Sequence, residues 1–143
     1  MANLIPRNVY KTIEYRLHTY EQMKLRISEW EAGIQSHNKT PQLSKNQGFY
    51  SDPTALTVIK LLNPPNDINK DIKWVHLIDS AKIFAYDAGI DKLFDVWYGK
   101  SRPPILSVVS EIPCDKATFY RWRDTLVYWI AFRAVRHNLI HFD

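Results

Sequence analysis

Two groups of side chains have the residue types from which a metal site or acid–base chemistry could be built. His137 and His141 stand four residues apart, a spacing that puts two imidazoles on one helix face. The other histidines (His18, His37, His76) are dispersed, the chain has one cysteine, Cys114, and only Asp143 lies near the pair. A ligand set of three or four donors is therefore not assembled, and no metal site is expected. Asp87, Asp91 and Asp95 recur every fourth residue, but Gly89 interrupts any helix that would align them. They read as a solvated acidic face with Asp91 as a helix cap. The four glycines are too scattered for a phosphate-cradling loop. Cys114, between Pro113 and Asp115, reads as a packing residue and not a nucleophile. These patterns predict neither an enzyme nor a bound cofactor.

A third group has the spacing of recognition. After the break GKSRPP (Gly99–Pro104), Ile105–Ser110 reads as a short helix and Glu111–Cys114 as a tight turn. A long helix then runs from Asp115 to about Asn138. Val108 and Val109 inside the first helix, Ile112 and Cys114 flanking the turn, Asp115 as cap, and Phe119 and Trp122 three apart form the apolar frame of a helix-turn-helix. Pro113 stands where glycine is common. This register predicts that Phe119 and Trp122 are buried. Lys116, Ala117, Tyr120, Arg121 and Asp124 are left on the opposite face, where a recognition helix meets base edges in the major groove. Arg121 suits bidentate contact to guanine, and Lys116 or Arg123 suits phosphate. Thr118 suits a phosphate hydrogen bond.

Such a face needs elements to carry it, and almost the whole chain reads as helix. Sustained period-two alternation is absent, so an all-α fold is expected. Val9, Ile13, Tyr20, Met23, Ile27, Trp30 and Ile34 recur at spacings of four and three, with Arg16 interrupting the row and Leu17 beside it. That stripe predicts one long N-terminal helix over Asn8–His37, covered either by other helices of its own domain or by the same helix of a partner in a homodimer. Short central helices follow. Asp52-Pro53 opens one that carries Ala55, Val58, Ile59 and Leu62 on one face. Asp67–Ala88 forms the next, with Ile72, Val75, Leu77, Ile78, Ala81, Ile83, Ala85 and Tyr86 apolar and Gly89 as its C-cap. Asp91 caps another with Leu93, Phe94, Trp97 and Tyr98. The expected division is an N-terminal assembly or regulatory part, 1–98, and a DNA-binding part, 99–143.

Composition sets the bounds. The 143 residues are 45% hydrophobic, 13% aromatic and 24% charged, a globular mixture. The longest run without Asp, Glu, Lys or Arg is eight residues, as in Thr125–Phe132. About 20 apolar residues are needed to span a bilayer, so no membrane span is expected. MANLIPRNVYKTIEYR lacks the apolar core of a secretory signal. With one cysteine, a reduced cytoplasmic setting is expected. The net charge of +4 is uneven. Residues 1–50 and 99–143 each hold seven basic and four acidic side chains, whereas 51–98 hold five and seven. Basic ends around an acidic middle suit an anionic partner.

The layout of a long N-terminal helix, a central Asp52-Pro53-Thr54-Ala55 helix start, and Cys114 through Arg123 (CDKATFYRWR) resembles the ArpU/RinA-type phage regulators of late-gene transcription. The C-terminal module of that family is similar to the promoter-reading region 4 of bacterial sigma factors. The resemblance implies a sequence-specific regulator, an activator of phage or prophage late genes in a bacterial host. It would act on double-stranded DNA, with host RNA polymerase as a second partner. A phage small terminase subunit, which pairs a helix-turn-helix with an oligomerising helical segment to recognise packaging DNA, is the alternative.

Overall fold

The computed structural model describes residues 4–38, 53–98 and 115–142, and every element among them is helical. The helices are α1 (Arg7–His18), α2 (Tyr20–Asn38), α3 (Pro53–Leu62), α4 (Asn66–Ala88), a π-helical turn α5 (Phe94–Tyr98) and α6 (Lys116–Arg136). The chain forms two units. One joins Met1–Glu21 to Lys73–Asp143, and the other is Gln22–Ile72. Residues from both sides of the expected 98/99 division thus build the first unit, because α1 packs directly against α6.

In that first unit the apolar rows point inward. Val9, Ile13 and Leu17 of α1, Trp74, Leu77, Ile78, Ala81 and Ala85 of α4, and Phe119, Leu126, Val127, Ile130, Ala131 and Ala134 of α6 are all buried. Each follows the three-and-four spacing of a helix with one face in the core. A fully buried Ile or Leu contributes about 1.5–3 kcal/mol before ordering costs are counted. Arg16, which breaks the apolar row in sequence, lies with its guanidinium 5.4 Å from the centre of the Trp74 ring.

Two helices stop by the same device. At the end of α4, Gly89 takes a positive φ of 77°, and Ile90 N donates to Ala85 O at 2.8 Å while Gly89 N donates to Tyr86 O. At the end of α6, Asn138 takes φ 59°, with Leu139 N donating to Ala134 O at 2.8 Å and Asn138 N to Val135 O. Both are Schellman turns, which satisfy carbonyls that the helix end leaves unpaired. Gly89 was expected as a cap from sequence. Asn138 does the same work because its short side chain tolerates the left-handed region.

One expectation is revised, and burial along two apolar rows is uneven. The Asn8–His37 segment is not one helix: Thr19 (φ −103°, ψ 14°) separates α1 from α2, and its hydroxyl donates to Tyr15 O at 2.8 Å, competing with the helical ladder. Burial along the heptad row also falls away. Tyr20 and Met23 are buried, but Ile27, Trp30 and Ile34 are only half-buried. Ile83 and Tyr86, counted among the apolar residues of α4, are 67% and 73% exposed, because the buried row there follows 74, 75, 77, 78, 81 and 85.

Within Gln22–Ile72, Arg26 donates from Nε and Nη2 to both carboxylate oxygens of Asp71, at 2.8 and 3.1 Å. Asp71 is 4% exposed, so this bidentate pair satisfies a carboxylate that burial would otherwise penalise. In α3, Leu56, Val58, Ile59 and Leu62 are all exposed. The expected cap Asp52, the short helix Ile105–Ser110 and the turn Glu111–Cys114 lie outside the described residues.

Candidate nucleic-acid interface

The start of α6 is set by Asp115. Its backbone is extended (φ −82°, ψ 173°), and its carboxylate accepts from Thr118 N at 2.7 Å, the N-cap role expected from sequence. The Thr118 side chain and backbone, together with the nearby Arg121, hold the Asp115 carboxyl below its ordinary range. Arg121 Nη2 donates to Thr118 Oγ1 at 3.3 Å, so the first turn and a half is tied along one side. The amides at this end carry the positive pole of the helix, which favours anions.

Phe119 anchors the turn from beneath. It is 0% exposed and meets the Trp97 ring edge-on at 5.3 Å. Trp122, its expected partner in burial, is only half-buried among the described residues. Lys116, Ala117 and Arg121 are exposed, while Thr118 and Tyr120 are partly covered. One cationic fork and one ammonium therefore stand in solvent around a small Ala117, a surface able to meet both a base edge and a phosphate.

Arg123 and Asp124 are placed differently from the rest of the expected face. Asp124 accepts the hydroxyl of Tyr10 at 2.6 Å, and Arg123 Nε donates to the same Tyr10 oxygen at 3.0 Å. Arg123 also lies 3.7 Å from Glu14 Oε1 and stacks over the rings of Tyr10 and Tyr120 at 5.6 and 5.0 Å. Glu14, only 8% exposed, accepts the Tyr98 hydroxyl at 2.8 Å and has His18 Nε2 at 3.9 Å. Burial works against the charge of Arg123, but Tyr10, Glu14 and Tyr98 outweigh it and raise its pKa. Burial first, then the carboxylates they bond, pushes the hydroxyls of Tyr10 and Tyr98 well above their ordinary value.

The candidate residues thus divide. Lys116, Ala117 and Arg121, with Thr118 beside them, face outward, whereas Arg123 and Asp124 lock α6 to α1. Tyr10 and Glu14, to which the sequence assigns no part in the site, and Tyr98, expected only as an apolar residue, are what hold the helix in place. Tyr10 and Glu14 are four apart on α1, a spacing that puts them on one face, but nothing local names their partners. The Nε1 of buried Trp97 has no acceptor among the described residues. Among the same residues, no three His, Cys, Asp or Glu side chains gather closely enough to hold a metal ion. No described helix is long and apolar enough to cross a membrane. No family model, no curated protein and no solved structure matches the chain.

Proposed function

We propose that this chain is a sequence-specific DNA-binding regulator, an activator of phage or prophage late-gene transcription working in the bacterial cytoplasm. It reads duplex DNA with the helix that begins at Asp115 and has host RNA polymerase as a second partner. One observation carries the reading. A capped helix start, anchored by fully buried Phe119, leaves Lys116, Ala117 and Arg121 outward at the end a recognition helix offers to the major groove. Arg121 supplies the bidentate base contact, and Lys116 and Thr118 hold phosphate. Footprinting on the promoter adjoining the gene tests it. A protected site is expected, and Arg121→Ala should weaken that site by about 1–3 kcal/mol. Lys116→Ala should weaken all duplexes more evenly. No protected site, or equal affinity of Arg121→Ala and wild type, would refute the reading.

The exposed Leu56, Val58, Ile59 and Leu62 of α3 favour an assembling protein and keep a second reading in play, the small terminase subunit. Light scattering separates the two. A ring-sized mass supports the terminase reading. A dimer that becomes monomeric and binds the promoter less tightly as Ile27→Asp supports the regulator, since a helix-turn-helix dimer spans two half-sites about 34–36 Å apart.

A further inference from the structure

At the opposite end of α6 from the Asp115 cap, a cavity of about 510 Å³ opens to solvent between α4 and α6. Its basic wall is Lys73 and His76 from α4, Arg133 and Arg136 from α6, and His137, which caps α6. Residues 73, 76, 77 and 80 fall at i, i+3, i+4 and i+7, and residues 133, 136 and 137 at i, i+3 and i+4, so each helix turns a single face to the space. Among the described residues, no carboxylate lines it. Among the described residues, Lys73, Arg133 and Arg136 take part in no ion pair.

Cations in the last turn of a helix are favourable by themselves, which accounts for Arg133 and Arg136 on α6. It does not account for Lys73, which lies within α4 and far from its last turn, nor for three like charges around one concavity. Gathering them costs repulsion that an anion would relieve. The site is also held in shape. The Arg133 guanidinium sits 4.3 Å from the centre of the Trp129 ring, and Trp129 stacks on Phe84 of α4 at 4.9 Å with 14° between planes. The turn at Asn138 closes the rim.

We propose that this cavity binds a phosphate-bearing anion. Two guanidinium forks match the paired oxygens of phosphate, and the lysine ammonium and imidazole N–H groups add donors. The volume lies within the ~300–1,000 Å³ of small-molecule sites and exceeds one phosphate. It leaves room beside Leu77 and Leu139 for an organic moiety or a length of nucleic-acid backbone. From Arg121 to Arg133 the axis of α6 rises about 18 Å at about 1.5 Å per residue, so the pocket is separate from the candidate reading face.

The test is calorimetric titration of the full chain with sodium pyrophosphate, run beside anisotropy with a random-sequence duplex over a range of salt. The proteins are wild type, Arg133→Gln/Arg136→Gln, and Lys73→Gln on the other helix. All the changes are at exposed positions, and circular dichroism verifies folding. Pyrophosphate affinity should fall at least tenfold in the double variant and severalfold in Lys73→Gln. If backbone phosphate is the natural occupant, duplex affinity falls with it and the salt slope shrinks by about two contacts. If a free phosphorylated ligand is the occupant, duplex binding stays at the wild-type level. The proposal is overturned if wild type binds neither probe, or if both variants keep wild-type affinity for both. Arg121→Ala distinguishes the two proposals: it weakens promoter binding if the recognition reading holds and leaves pyrophosphate binding intact either way.

Discussion

Tyr10 of α1 donates its hydroxyl proton to Asp124 of α6 at 2.6 Å, across 114 residues of chain. The same oxygen accepts from Arg123 Nε at 3.0 Å, so one phenol joins an anion and a cation of the last helix to the first. Through it, the packing of the N-terminal helix sets the orientation of the candidate recognition helix.

Tyr10→Phe keeps the ring, including its edge contact to Tyr128 at 6.3 Å, and removes only this junction. Asp124 loses a donor and Arg123 an acceptor, both in half-buried positions. The expected loss is roughly 1–2 kcal/mol, read from urea denaturation. An unchanged midpoint would mean that water replaces the hydroxyl at no cost.

Alkaline pH should act through the same cluster. Tyr10 and Tyr98 have raised native pKa values, through burial first and their carboxylate partners second. Their contribution is complete below the unfolded tyrosine value of about 10 and is lost as pH rises above it toward the native values. Between about pH 9 and 11.5, wild type should lose stability faster than Tyr10→Phe/Tyr98→Phe. Parallel curves would remove these hydroxyls as the cause.

Asp115 makes the opposite prediction at acid pH. Its lowered native pKa arises from Thr118 and Arg121, so its stabilisation is present above the unfolded carboxylate value of about 4 and is lost as pH falls through the native value. Amide exchange at residues 116–119 should quicken on acidification. Asp115→Asn, still a good cap, should show protection that changes little with pH, and Asp115→Ala should show little protection at any pH. Equal protection in all three would discount the cap.

Phe119 and Trp122 should not weigh the same. Phe119→Ala opens a cavity at a fully buried site, and a loss of about 3–5 kcal/mol is expected. Trp122 is half-buried, so Trp122→Ala should cost clearly less. Thermal melts of the two variants decide, and equal losses would contradict the burial difference.

What the sequence by itself determined are the features that depend on near neighbours. The helical class follows from three-and-four spacing. Asp115 as cap follows from a carboxylate within reach of its own helix amide, and Gly89 as a stop follows from the freedom of glycine at positive φ. Burial of Phe119 follows from its place in the apolar row of α6.

Only the tertiary structure decided which polar residues turn inward. In sequence, Arg123 and Asp124 are as charged as Lys116 and Arg121, and a helical wheel sets them among candidate surface positions. Their fate depends on Tyr10 and Glu14, more than a hundred residues away and brought close only when α1 packs on α6. The basic cavity built from one face each of α4 and α6 has the same origin. Local pattern records what a residue prefers, whereas a buried charge or a gathered set of cations is settled by partners that no local pattern contains.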